Sequence, residues 1–173
     1  YEMPCCLVGS EMCIRDSLTS EAGMMSKIFK TVDRNSDDLA ALLYTSGTTG
    51  RSKGAMLTQN NLLSNAKTLT KLWEVSESDI LIHALPIFHT HGLFVALNTA
   101  LLSGCKVNFL VKFDIDEVVR AMHSSTLLMG VPTFYTRLLA DPRLTAQQTQ
   151  NMRLFISGSA PLLAETHEEF TRR

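Results

Sequence analysis

The stretch Tyr44-Thr-Ser-Gly-Thr-Thr-Gly-Arg-Ser-Lys-Gly54 sets three glycines, a series of hydroxyl side chains and one lysine in close succession. Glycine lacks a Cβ and tolerates φ > 0, so backbone N–H groups in such a loop can approach an anion closely. Successive N–H groups form a nest for phosphate oxygens, and Thr45, Ser46, Thr48 and Thr49 add hydroxyl donors around Gly47 and Gly50. Lys53 supplies a compact positive charge and Arg51 a second. Leu39-Ala-Ala-Leu-Leu-Tyr44 is an apolar run of strand length, which predicts a buried strand from which the loop hangs. The alternative is a flexible Gly/Thr surface loop. The lysine, the strand before and the helix after favour a phosphate cradle. It is not a Walker A loop, where lysine directly follows glycine, because Arg51 and Ser52 separate Gly50 from Lys53.

Beyond the loop the pattern alternates between strand and helix. Thr58 is placed to cap a helix running to about Trp73, with Leu62, Leu63, Ala66, Leu69 and Leu72 at helical spacing. Strands are predicted at 79–84, 106–111, 126–130 and 152–157. Helices are predicted from about Gly92 to a C-cap at Gly104, after Asp114, from Pro132 to near Ala140, and from Pro161. This order argues for an α/β fold, a parallel sheet with helices on both faces. Ligands of such sheets bind beyond the carboxyl ends of the strands. The loop at Gly47–Gly54 and the segments Pro86–Gly92, Gly130–Pro132 and Ser157–Pro161 each follow a strand, so they are expected to gather on one rim.

The composition excludes several classes. The 173 residues suit one domain, and a formal net charge of −1 gives no electrostatic footprint for nucleic acid or an anionic membrane. No apolar run approaches the ~18 residues of a membrane helix, and no secretory signal is visible. The expectation is a cytoplasmic protein, with an organelle left open; oligomeric state has no signal in the sequence. Cys5, Cys6 and Cys13 crowd the start, without the histidine or Cys-x-x-Cys spacing of a zinc site. Cys6-Leu-Val-Gly-Ser-Glu-Met-Cys-Ile-Arg-Asp-Ser17 resembles translated sequencing-adaptor read-through, so residues 1–17 are set aside as non-native. Residues 18–38 read as a helix or linker.

With four strand-end motifs in order, residues 37–173 resemble the adenylate-forming superfamily of acyl-CoA synthetases, peptide-synthetase adenylation domains and luciferases. Thr45-Ser-Gly-Thr-Thr-Gly-x-x-Lys-Gly54 matches its phosphate loop, with Ser52 where many members have proline. Leu85-Pro-Ile-Phe-His-Thr-His-Gly92 and Arg153-Leu-Phe-Ile-Ser-Gly-Ser-Ala-Pro-Leu162 match two later motifs. Phe88-His-Thr-His-Gly92, Gly130-Val-Pro-Thr-Phe-Tyr-Thr-Arg137 and Ser157-Gly-Ser-Ala-Pro161 are similar to the malonyl-CoA synthetase subgroup. The resemblance implies ATP, Mg²⁺ and coenzyme A as reactants and cofactors, and a small dicarboxylate as the acid. It implies that Thr45, Ser46, Gly47, Thr48, Thr49, Gly50 and Lys53 hold ATP, with Lys53 and Thr49 catalytic and Thr48 or Thr49 contacting Mg²⁺ through the phosphates. It also implies that His89, Arg137 and Ser159 bind the acyl substrate, Arg137 and Ser159 taking malonate's distal carboxylate.

Each of these residues has a plainer reading. Arg137 could be a surface arginine snorkelling from a short helix. Ser159 could cap the next helix, and His89 and His91 could be packed turn residues. His83, in mid-strand, reads as structural, and the methionines as core filler. Two other functions stay open: activation of a fatty or aromatic acid by the same chemistry, and a non-catalytic nucleotide-binding module. The family's later glutamate and aspartate, and its small C-terminal domain with a catalytic lysine, have no counterpart in these residues, so 39–173 read as a partial AMP-binding domain. On that reading the purified 173-residue chain forms no malonyl-CoA from ATP, malonate and coenzyme A; turnover in a coupled thioester assay would overturn it.

Overall fold

The structure, a computed structural model, describes residues 23–28, 30–45 and 53–173. The loop residues Ser46, Gly47, Thr48, Thr49 and Gly50, and the segment 1–17, lie outside the described residues. The chain divides into two units, 1–34 and 35–173. In the first, residues 23–24 are helical and the other described residues are irregular and exposed. The predicted motifs lie in the second.

Four parallel strands form its sheet: β3 (Ile80–His83), β4 (Lys106–Phe109), β5 (Leu127–Gly130) and β6 (Leu154–Ser157), in the order β4-β3-β5-β6. Leu81 pairs with Val107 on one side and Leu127 on the other, and Leu127 pairs with Leu154. All four residues of β5 are buried, as a central strand covered on both faces requires. The path from β3 to β4 steps one way across the sheet; the paths to β5 and then β6 step back. Right-handed crossovers therefore place the helix after β3 on one face, and those after β4 and β5 on the other. Leu81, Ile82, Val118, Met122, Leu128 and Leu138 are fully buried at the centre.

The helices begin and end where local chemistry directs. Thr58 and Asn61 form a reciprocal cap for α1 (Gln59–Leu72): Asn61 N–H donates to Thr58 Oγ1 at 3.2 Å, and Thr58 N–H to Asn61 Oδ1 at 2.9 Å. The predicted helix 92–102 is two segments, a π-helical stretch His91–Leu97 running into α2 (Asn98–Ser103). Gly104 ends it with φ 73°, the left-handed conformation that favours glycine. Asp114 Oδ1 accepts from Asp116 and Glu117 N–H at the start of α3 (Ile115–Met122). Pro132 opens α4 (Pro132–Leu139). The last helix, α5 (Ala164–Arg172), starts later than Pro161 because Leu163 is still extended at φ −65°, ψ 139°.

One expectation is corrected. β1 (Leu39–Thr45) is not a buried strand of the parallel sheet; it pairs antiparallel with β2 (Lys53–Thr58), a strand the sequence pattern did not reveal. Leu39, Leu42, Tyr44 and Met56 are exposed. A short connection between Thr45 and Lys53 permits antiparallel pairing, whereas a parallel pair needs a crossover of a dozen or more residues.

The strand starts are tied by side chains. Asp79, Thr126 and Arg153 each immediately precede a strand. Asp79, 3% exposed, accepts from Arg153 Nε at 2.8 Å and Nη2 at 2.7 Å, from Thr126 Oγ1 at 2.7 Å and from Ser76 N–H at 2.9 Å. Thr126 Oγ1 also accepts from Ile80 N–H at 3.0 Å. Arg153 further donates to the Trp73 and Glu74 carbonyls, both at 3.0 Å, holding the end of α1 where Glu74 adopts φ 52°. The Arg153 guanidinium, with the Thr126 hydroxyl and Ser76 N–H, holds the Asp79 carboxyl well below the usual carboxylate range against the opposing effect of burial.

A carboxyl whose pKa is depressed on folding adds stability above its unfolded pKa of about 3.9, and that stability is lost as pH falls. Asp79→Asn is expected to cost about 2–3 kcal/mol at pH 7, since it breaks charge-assisted hydrogen bonds to a buried group. In urea melts the gap between parent and variant should shrink steadily from about pH 5 towards pH 2.

Candidate functional site

The ends of β3, β5 and β6 converge on a second cluster, at the opposite edge of the sheet from Asp79. Gly130 ends β5, and its carbonyl accepts from Gly158 N–H at 3.0 Å just beyond β6. A Cβ on Gly130 would lie 2.8 Å from Phe134 Cδ2, so the glycine lets that ring close over the strand end. After β3 the chain turns through Leu85 and Pro86 into the π-helical stretch. There a Cβ on Gly92 would collide with the Pro86 carbonyl oxygen. His83 is buried, and its Nε2 lies 3.0 Å from the Gly92 carbonyl oxygen. A carbonyl only accepts, so Nε2 carries the proton.

His91, half-buried, sits directly before Gly92. Its Nδ1 is 3.0 Å from Ser159 Oγ, and its Cε1 rests against Gly158, where a Cβ would lie 2.9 Å away. Ser159 itself adopts φ 68°, uncommon for a residue with a side chain and concentrated at functional turns. Burial lowers the His91 pKa, and the neighbouring His83 lowers it further. Burial also lowers that of His83, against the bond to Gly92. Both rings are therefore neutral at pH 7; His91 can hydrogen-bond to a small molecule in the cavity without adding charge, while buried His83 is taken up by the Gly92 carbonyl.

These segments enclose a cavity of about 540 Å³. Leu85, Val131 and Phe134 make its apolar wall, and His89, His91 and Ser159 its polar groups. Few polar groups converging on an apolar pocket is the usual form of a small-molecule site. A second cavity of about 560 Å³ lies against α5, lined by Leu144, Phe155, Leu162 and Phe170 together with Thr145, Thr149, His167 and Arg173 among others.

Of the residues singled out in the sequence, His89 and Ser159 come together in the 540 Å³ cavity. His89 is exposed and its ring lies 4.5 Å from that of Phe88. Arg137 is not in the cavity wall. Its guanidinium lies 4.6 Å over the Phe113 ring, which stacks at 4.0 Å on the cavity-lining Phe134. Lys53 pairs in register with Thr45, the first and last described residues on either side of the predicted phosphate loop. His91 is the inward histidine that sequence reasoning left as a turn residue. The available signal was the His-x-His-Gly spacing, because the residue next to an obligatory glycine is held on a fixed backbone.

The model of a family described as AMP-binding enzyme matches residues 6–173, beginning within the segment set aside in the sequence reading. Malonate–CoA ligase from Arabidopsis thaliana is 37% identical over 146 residues, covering 73% of this chain and 24% of that protein. The ATP-bound crystal structure of MatB from Rhodopseudomonas palustris is 60% identical with a TM-score of 0.86, covering 91% of this chain and 31% of that one. A malonyl-CoA ligase in a ternary product complex with methylmalonyl-CoA and AMP is 36% identical with a TM-score of 0.74, covering 80% of this chain and 31% of that one. The chain thus spans about a quarter to a third of the length of these proteins.

The two tight glycines separate stability from site geometry. Gly92→Ala meets fixed backbone and is expected to cost about 1–3 kcal/mol, the usual range for overpacking. Gly158→Ala meets a movable imidazole, so it should cost under about 1 kcal/mol while displacing His91 from Ser159. Urea melts read the first effect, and the His91 ring shifts in NMR spectra read the second.

Proposed function

This chain belongs to the AMP-binding enzyme family, and we propose that the polypeptide carrying it is an ATP-dependent acid–CoA ligase acting on malonate or methylmalonate. The observation that carries this reading is the 60% identity, over 91% of the chain, to a MatB solved with ATP bound. A carboxylate is a poor electrophile, and ATP makes it reactive as a mixed anhydride. One carboxylate oxygen attacks the α-phosphorus, pyrophosphate leaves, and an acyl-adenylate forms. The thiolate of coenzyme A then attacks the acyl carbon and AMP leaves, giving the thioester.

The chain's own residues have distinct parts in this. The loop from Thr45 through Ser46, Gly47, Thr48, Thr49 and Gly50 to Lys53 would hold the β- and γ-phosphates and offset charge on the leaving pyrophosphate. The Thr45–Lys53 pairing supports this, because it anchors both ends of the loop on one hairpin. Mg²⁺ would supply further charge neutralisation; it asks for only one or two protein oxygens beside phosphate, and the Thr48 or Thr49 hydroxyl is a donor of that kind.

Ser159 and His91 would orient the acid. With Nδ1–H of His91 donating to Oγ, the serine's own proton points to the acid. Arg137 would take the distal carboxylate, and the magnitudes allow it to move there. A cation–π contact from exposed Arg137 to the half-buried Phe113 ring is worth about 0.5–2 kcal/mol, whereas each charge-assisted hydrogen bond to a carboxylate contributes about 1.5–3 kcal/mol. A dicarboxylate in the cavity therefore outcompetes Phe113 for the guanidinium. The three substrates are small and water-soluble, and among the described residues no helix is long and apolar enough to cross a membrane.

The test is acid-dependent exchange of pyrophosphate into ATP by the complete polypeptide. Malonate should support exchange better than cinnamate or a long-chain fatty acid. Arg137→Ala should raise KM for malonate about 10- to 100-fold, the loss of one charge-assisted contact, and leave exchange with a short monocarboxylate unchanged. A variant as active as the parent on malonate would end the dicarboxylate assignment, and preference for cinnamate would point to an aromatic acid.

A further inference from the structure

His83 is an expensive residue in its position. It ends a central strand, is 1% exposed, and leaves Nδ1 buried without a hydrogen-bond partner among the described residues. A leucine would fill comparable space with no unpaired polar atom. What a leucine lacks is a donor for the Gly92 carbonyl, 3.0 Å from Nε2. The ring is itself held in place: it lies 4.9 Å from that of Phe109, its register partner on β4, and the His83 carbonyl accepts from Leu110 N–H at 2.9 Å.

Gly92 belongs to the seven-residue π-helical stretch His91–Leu97. Such stretches are rare, occur mostly as single turns, and concentrate at functional sites. Two contacts fix Gly92: the backbone of Pro86 on one side and the His83 ring on the other. His91 directly precedes it and meets Ser159 Oγ at 3.0 Å. We infer that His83 is a positioning residue, which by donating from Nε2 to the Gly92 carbonyl holds the π-helical turn that aims His91 at Ser159 in the acyl pocket. The inference rests on the reading of this cavity as the acyl site. His83 touches no substrate and acts through the backbone of Gly92. It links the end of β3 to a pocket whose other wall is built on β5 and β6.

The test uses the complete polypeptide labelled with nitrogen-15 at histidine. Two-bond proton–nitrogen spectra should show His83 in the Nε2–H tautomer. His83→Leu should move the His91 ring signals and raise KM for malonate about tenfold while kcat changes less than about threefold, the pattern of lost substrate positioning. His83→Gln, whose side-chain amide can donate to the same carbonyl, should restore both. An Nδ1–H tautomer in the parent would overturn the inference, as would His91 signals and KM left unmoved by His83→Leu. If His83→Leu does not fold, the parent tautomer and His83→Gln decide: a Gln variant with displaced His91 signals counts against it. Absence of exchange with every acid would refute the ligase reading alone, because the tautomer and the His91 signals are read without turnover.

Discussion

Asp79 and Arg153 are 74 positions apart and meet through two hydrogen bonds at the starts of their strands. The sheet's alignment depends on this pair. Thr126 bridges it to β5, and the Trp73 and Glu74 carbonyls bring in the end of α1. A buried carboxylate alone would cost several kcal/mol in desolvation. Here every oxygen is occupied and the arginine is partly open to water, its side chain 38% exposed, so the cation keeps part of its hydration. The arrangement also selects one register. Slipping β6 by one residue would turn Arg153 to the other face of the sheet and leave Asp79 as an uncompensated buried charge.

That rigidity at one end lets the other end be irregular. Four-residue strands carry the backbone only about 13 Å from the Asp79 cluster to the cavity. Beyond them come the features that regular structure avoids: a π-helical stretch, a glycine pressed on a carbonyl, and a serine at φ 68°. Each costs free energy locally, and a core that holds the strands in place can sustain such strain. The cavity's polar groups come from two separate strand ends, so the sheet sets the distance between His91 and Ser159.

Much of this was legible in the chain. Thr58, Gly104, Asp114 and Pro132 act within one helical turn, and their local chemistry placed helix boundaries closely. The apolar run at Leu127–Gly130, and that at Ile80–Ala84 interrupted only by His83, marked strands covered on both faces. What was missed is non-local. β2 contains Gly54 and reads as loop until Thr45 and Lys53 are seen opposite each other. The Asp79–Arg153 pair has no signature, since neither residue's neighbours signal a partner so distant. The sequence reading favoured His89 over His91 for the pocket, because nothing local tells which of the two the π-helical turn brings to Ser159 beyond β6. Arg137 was legible as a cation near the pocket, but its resting place on Phe113 depends on a ring contributed by the segment after β4.

The backbone at Ser159 limits how this pocket can vary. A left-handed residue with a side chain is tolerated when that side chain is short and unbranched at Cβ, so serine, asparagine, aspartate and glycine fit where valine, isoleucine and threonine are strained. Position 159 can therefore exchange one small group for another, but a β-branched or bulky apolar side chain there is strained. On the acid–CoA ligase reading proposed above, any widening or narrowing of the acid range must come from residues with ordinary backbone, such as Val131 at φ −98°. The pocket thus has one position whose chemistry the fold restricts and others that remain adjustable, and laboratory selection for new acids should accumulate its changes at the latter.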